Sequence, residues 1–379
     1  MDRSMPESRS LLGLSSEADL VKVDRAISEF RAGRPVLLRD DGTLALALSA
    51  ELADPDLVQR LDKLASGGAH VVLSAARLRR LGAKGRTEAG IFALPRIDLD
   101  RVESLALKLD ARMDAPVAPA SALDDAALEL ARLSLVLPAV LIVYVSAEQV
   151  AGEPLVEVEL AAISGYRAAQ AATLKIVGRA PVPLEGAPET EFVVFRGGEG
   201  LRDQVAIVVG KPDLTQPVPV RLHSACLTGD LFGSLKCDCG DQLRETVHWM
   251  AQSEGGVLLY LDQEGRGNGI SNKMRAYKLQ SQGWDTYDAD EVLGFDLDQR
   301  HFDFAATMLK QLGVSQVIAL TNNPQKIGAI EAAGLDVAAS QRVLGRPNAH
   351  NVRYLASKRD RAGHIIDMDA LMARAAPKD

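Results

Sequence analysis

Short apolar runs alternate with amphipathic segments along most of this chain, and that alternation is its tightest constraint. Buried strands read as continuous apolar runs, while helices repeat their apolar positions every 3.6 residues. Runs suited to strands fall at 35–38, 71–74, 138–145, 204–209, 218–222, 256–261 and 317–320. Helical spacing falls at 26–32, 55–66, 122–133, 158–172, 242–253, 273–282, 302–312 and 324–333. Strands interleaved with helices predict layered α/β or α+β domains. A chain of 379 residues has room for two of them. The stretch 179–190 holds three prolines and one glycine and reads as a linker or an extended entry. It places the boundary at 172–190, with domains at 20–172 and 173–370. Pro219 inside the run 218–222 suggests an edge strand or a late start.

Charge and targeting narrow the function. Lys and Arg total 43 against 51 Asp and Glu, a net charge of −8. A dedicated duplex-DNA binder carries a basic surplus, so no nucleic-acid partner is expected. A local basic pocket for a phosphorylated small molecule remains allowed. The longest apolar run, 135–145, is interrupted by Pro138 and falls short of the ~20 residues of a membrane helix. No signal-peptide pattern opens the chain. The expectation is a cytoplasmic protein without a membrane partner, with its thiols reduced.

There are three cysteines, Cys226, Cys237 and Cys239. An odd, tightly spaced set argues against a disulfide framework. A C-x-C pair can aim two thiolates at one ion, and Cys226 follows a strand. Three protein ligands leave one tetrahedral position open, the arrangement of a catalytic zinc. Zinc there lowers the pKa of a bound water to about 7. Two alternatives stand beside this: a structural zinc with a fourth ligand such as His223, and three buried free thiols.

Four further places carry polar side chains suited to a nucleotide. After the strand 256–261 comes Asp262-Gln263-Glu264-Gly265-Arg266-Gly267-Asn268-Gly269. A carboxylate can pair with the donor edge of guanine, and Arg with phosphate oxygens. Thr321-Asn322-Asn323-Pro324-Gln325-Lys326 lies between a strand and a helix, where backbone N–H groups can receive an anion. Asp298 and Arg300 stand two apart before a helix. Arg221 and His223 share one face of a strand. Read singly, each of these is also an ordinary turn, cap or surface pair.

Together, 221–243 (RLHSACLTGDLFGSLKCDCGDQL), 263–269 (QEGRGNG), 272–286, 293–300 and 320–326 (LTNNPQK) resemble GTP cyclohydrolase II, over about 174–366. The resemblance implies an enzyme that opens the imidazole ring of GTP. The products are formate, pyrophosphate and 2,5-diamino-6-ribosylamino-4(3H)-pyrimidinone 5′-phosphate, the first step towards riboflavin. It implies one zinc per subunit, magnesium with the triphosphate, and a homodimer. By matching positions, Cys226, Cys237 and Cys239 are the zinc ligands. Asp298 is the proton acceptor, and Tyr277 lies near the reacting ring. Arg300 is the residue assigned as nucleophile on the α-phosphorus. A guanidinium is always protonated, so charge stabilisation is its safer chemical role. Arg221, Leu222, His223, Ser224, Ala225, Gln242, Glu264, Gly265, Arg266, Thr286, Thr321 and Lys326 are GTP contacts. Glu264 would read the guanine edge, and Arg266, Thr321 and Lys326 would hold phosphates. The chain departs from the family pattern at Ala225, Asp262, Asn268 and His301. A related cyclohydrolase with another product, and a GTP-binding protein without turnover, are the alternatives.

The segments 23–41, 124–145 and 160–167 resemble 3,4-dihydroxy-2-butanone 4-phosphate synthase. This implies a synthase-like mixed sheet with helices, ahead of the cyclohydrolase-like α/β domain. The synthase needs an acidic loop after its first strand, whereas Asp40-Asp41-Gly42-Thr43 runs into Leu44-Ala45-Leu46-Ala47. It also needs a metal-ligand His where this chain has about Leu123. The one His before residue 200 is His70. The expectation is a retained fold without its reaction.

Overall fold

The computed structural model describes residues 15–65, 68–197, 203–296, 300–343, 348, 351, 355–356, 359–361 and 365–366. The chain divides into two compact units. The first runs to Ala169 and includes Asp290–Asp296, and the second holds Gln170–Ala289 and the chain from Leu297.

The first unit contains α1 (Ser15–Arg31), β1 (Val36–Asp40), β2 (Thr43–Ser49), α2 (Pro55–Ala65), β3 (Ala69–Leu73), α3 (Ala75–Leu81) and β4 (Gly90–Leu94). It continues with α4 (Leu99–Leu107), β5 (Ala118–Pro119), α5 (Ala122–Leu133), β6 (Ala139–Val145), β7 (Glu157–Glu159) and most of α6 (Leu160–Thr173). Its seven strands order as β5-β4-β3-β6-β2-β1-β7, antiparallel except for β1 with β7. Successive strand residues face opposite sides, so a strand covered on both faces must be apolar throughout. β6 shows this. Val140 and Ile142 join a core with α1 and α5, while Leu141 and Val143 join another with α2, α3 and α4. The sheet is the middle layer of three. β2 was not foreseen in the sequence. Its LALALS pairs with β1 across the turn at Asp41 and Gly42.

Two buried polar groups organise this unit. His70 on β3 donates to Asp124 at 2.5 Å, and Asp124 closes a capping box with Ser121 at the start of α5. The Arg77 guanidinium of α3 donates to the carbonyls of Ser104, Leu105 and Lys108 at the end of α4, and to Val292. Burial lowers its pKa to about 10. Ser74 donates to the Gly294 carbonyl at 2.6 Å, so α3 and its N-cap hold the segment Asp290–Asp296.

The second unit contains β8 (Lys175–Pro181), β9 (Thr190–Arg196), β10 (Gln204–Val209), β11 (Val218–Ser224), α7 (Leu227–Asp230), α8 (Cys239–Gln252) and β12 (Gly256–Leu261). Then follow α9 (Gly269–Ser281), α10 (Thr286–Val292), α11 (Asp303–Gln311), β13 (Gln316–Leu320), α12 (Pro324–Ala332) and β14 (Asp336–Gln341). α10 begins in this unit and ends in the first. The strand order is β14-β13-β11-β12-β10-β9-β8.

At two places one of two alternative expectations is corrected, while the extended entry at 179–181 and the late start at Pro219 fit. The stretch 179–190 is not a linker: it carries the end of β8 and the turn into β9, an antiparallel pair inside the sheet. β11 is not an edge strand, since it runs between β12 and β13. Pro219 is tolerated because the ladder to β12 begins only at Val220, so no N–H is missed there. β11, β12 and β13 are mutually parallel neighbours, so their carboxyl ends emerge side by side. Ligand sites form at such ends in α/β sheets.

Candidate active site

The carboxyl ends of β11, β12 and β13 lead into the Cys226 loop, the 262–269 run and the 321–326 run respectively. β11 ends at Ser224 and passes through Cys226 into α7. Cys237 precedes α8, and Cys239 is its first residue. The three sulfurs lie within 4.8 Å of one another, with Cys226 and Cys237 at 3.6 Å. Thiolates about 2.3 Å from one tetrahedral ion lie roughly 3.8 Å apart, so the set fits zinc.

On the Gly229 side, the packing against the thiols leaves no room for a side chain. A Cβ on Gly229 would lie 2.7 Å from the Cys237 sulfur and 3.0 Å from that of Cys226. Asp230 is the local hub. It accepts from the Cys226 N–H at 2.9 Å, the Tyr260 hydroxyl at 3.0 Å and His223 Nε2 at 3.1 Å. Burial lowers the His223 pKa against the pull of Asp230, so the ring is a neutral imidazole donating from Nε2.

The charges around the sulfurs follow their contacts. Hydrogen bonds from Cys237 and then Cys239 pull the Cys226 thiol far below its ordinary range. The same sharing pushes Cys237 up to about 11 and raises Cys239. Lys273 stands 3.2 Å from the Cys226 sulfur and 2.8 Å from Glu264. Burial opposes its charge, but Cys226 and Glu264 outweigh that and hold its pKa above the lysine range.

A cavity opens beside this cluster. Its lining includes Arg221, His223, Ser224, Asp238, Cys239, Gln242, Arg266, Arg300, Thr321 and Lys326. Tyr287, Asn322, Asn323 and Ile366 complete it. Four basic side chains thus face one space. Arg221 is buried, and burial lowers its pKa. It donates to Gln242 at 2.5 Å and to the Leu320 carbonyl, while its Nε has no partner among the described residues. Arg300 donates to Ser224 Oγ at 3.3 Å. Arg266 has φ of 61°, a left-handed backbone that non-glycine residues rarely take. Its guanidinium lies over the Tyr287 ring, 4.6 Å from the centroid. Strain of this kind gathers at functional sites.

Several expected residues lie elsewhere. Leu222, Ala225, Gly265, Thr286 and Tyr277 are not among the residues lining the cavity, whereas Tyr287, next to Thr286, is. Tyr277 lies on α9 by the thiols, with Lys236 at 4.6 Å and Lys273 at 5.6 Å from its ring. Burial raises its pKa to about 12. Both oxygens of Glu264 are engaged, by the N–H groups of Leu227 and Gly265 and by Lys273. Reading a guanine edge would require trading one of these contacts. Asp298 lies outside the described residues. Sequence reasoning missed Gly229, Asp230, Lys273 and Tyr287. The Gly229-Asp230 pair between Cys226 and Cys237 was the available signal for the first two.

Converging thiols that could hold a metal ion stand against a cation-lined cavity at the ends of parallel strands, where α/β enzymes place their sites. Residues 175–342 match the family described as GTP cyclohydrolase II. A "GTP cyclohydrolase-2" of Xylella fastidiosa strain Temecula1 is 43% identical over 365 residues, 95% of this chain and 91% of that protein. A "Riboflavin biosynthesis protein RibBA" of Phocaeicola vulgatus is 30% identical, covering 92% and 98%. A "GTP cyclohydrolase-2" of Vibrio vulnificus is 45% identical over 179 residues, 47% of this chain and 90% of that protein. The chain belongs to the GTP cyclohydrolase II family and is a hydrolase. Among the described residues, no helix is long and apolar enough to cross a membrane.

Proposed function

We propose that the chain hydrolyses GTP to formate, pyrophosphate and 2,5-diamino-6-ribosylamino-4(3H)-pyrimidinone 5′-phosphate, the first step of riboflavin biosynthesis. The observation that carries this is the meeting of the three thiols with the cation-lined cavity. The names of the relatives from Xylella fastidiosa and Phocaeicola vulgatus support the substrate and the pathway.

Cys226, Cys237 and Cys239 hold one zinc ion in this reading. When bound, zinc supplies a Lewis acid and lowers the pKa of water. Arg221, Arg266, Arg300 and Lys326 hold the triphosphate with its magnesium, and Thr321 helps fix its position. Arg300 stabilises charge at the α-phosphorus as pyrophosphate leaves, because a guanidinium keeps its proton. Asp298 accepts a proton, and Tyr277 stands near the ring that opens. Gln242 bridges Arg221 and Asp238, which orients the guanidinium. The enzyme works in the cytoplasm as a homodimer.

The first unit keeps a synthase-like fold without that reaction. Leu123 sits in its apolar core, where the synthase places a metal-ligand His. The cyclohydrolase domain, 173–370, carries the chemistry. The relative from Vibrio vulnificus matches less than half of this chain and is itself named as the cyclohydrolase.

Cys237→Ser tests the metal assignment. It should remove bound zinc and formate release together, with thermal stability of the first unit retained. Full formate release from the zinc-free variant would refute the reading.

A further inference from the structure

We infer that Asn323 binds the substrate: its side-chain amide donates to a phosphate oxygen of the bound nucleoside triphosphate. The inference rests on the function proposed above and adds a residue to it. Asn323 is the N-cap of α12, with extended backbone at φ −103° and ψ 112°. Its Oδ1 accepts from the Gln325 N–H at 2.9 Å. That capping bond fixes which way round the amide lies. The Nδ2 group is therefore turned away from the helix. It is buried, has no hydrogen-bond partner among the described residues and belongs to a residue lining the cavity. Asn323 as a whole is only 3% exposed.

Buried donors are almost always paired, because leaving one unpaired forfeits its hydration without return. The same cavity holds a second such donor, the Nε of Arg221. Two unpaired buried donors, among Lys326 and Arg300, call for a ligand rich in acceptors and negative charge. A phosphate group offers that, whereas a base edge brings donors of its own. The start of α12 adds the positive end of a helix dipole.

The neighbouring residue makes the contrast. Asn322 spends both ends of its amide on Val343, donating to its carbonyl and accepting from its N–H at 3.1 Å. Asn322 joins two pieces of backbone, and Asn323 offers its donor to the cavity. Aspartate would cap α12 equally well, so capping alone does not call for asparagine.

The test uses the full chain with zinc and magnesium, comparing wild type with Asn323→Asp and Asn323→Ser. Both variants keep a capping oxygen, so thermal stability should hold, and both lose the amide donor. KM for GTP should rise, and calorimetric affinity for inorganic tripolyphosphate should fall, by roughly tenfold or more in Asn323→Asp. The serine variant should lose less, and it carries the comparison if the aspartate variant does not fold. Unchanged KM and unchanged tripolyphosphate affinity would overturn the inference while leaving GTP turnover intact. If the wild type releases no formate yet the variant still loses tripolyphosphate, the proposed reaction fails and the phosphate donor stands.

Discussion

Gly229 carries more of the metal site than its size suggests. Any side chain there would press on two cysteine sulfurs and on Cys239 Cβ, 3.2 Å away. Asp230 beside it ties the Cys226 backbone, His223 and Tyr260 to one carboxylate. Groups around metal ligands hold them in the geometry the ion needs. Gly229→Ala should therefore spread the thiols and weaken zinc binding by roughly tenfold or more, measured by competition with a chromogenic chelator. Zinc affinity equal to that of the wild type would show that the thiols have slack the packing does not suggest. The cysteines themselves were legible because C-x-C spacing has few other uses. Gly229 and Asp230 were not, because a Gly-Asp pair reads equally as a turn. Asn322 and Asn323 are chemically identical in sequence, and only the folded backbone decides which amide faces the cavity.

At the scale of elements, helix and strand positions were readable where apolar periodicity was strong. α5 falls at 122–133 as expected, and β10 and β12 fall at 204–209 and 256–261. β8 and β9 were hidden because β8 is almost wholly exposed and ends at Pro181, with Pro183 and Pro188 in the turn between the two strands. α3 was hidden by its charge. Its Arg77 is 2% exposed, while Arg79 reaches Glu291 at 2.6 Å on a more open face. Three arginines in seven residues predict a solvated helix, and only four backbone carbonyls explain the buried one. The start of α5 makes a pH-dependent prediction. Burial raises the Asp124 pKa, but His70 and Ser121 outweigh it and hold the carboxyl below its ordinary value. A depressed folded pKa stabilises above the unfolded value near 3.9, and that stability is lost as pH falls through the folded value. Asp124→Asn should lower stability at neutral pH by about 1–3 kcal/mol. The gap to wild type should close progressively below about pH 4 in urea melts. A gap independent of pH would assign the loss to packing instead.

At the scale of the whole molecule, the proposed function gives the two units unequal work. In the second, three parallel strands bring thiols, cations and a helix start to one place. Parallel order and adjacency are non-local, so sequence named the loops without showing that they meet. In the first, the buried Asp124–His70 pair, the buried Arg77 and the apolar Leu123 serve packing. The most direct measurement incubates the zinc- and magnesium-loaded chain with GTP and ribulose 5-phosphate together, and follows both sets of products by mass. Formate and the pyrimidine phosphate should form from GTP, with ribulose 5-phosphate recovered unchanged. No formate from GTP would refute the proposed hydrolysis, and 3,4-dihydroxy-2-butanone 4-phosphate would show that the first unit carries out the synthase reaction.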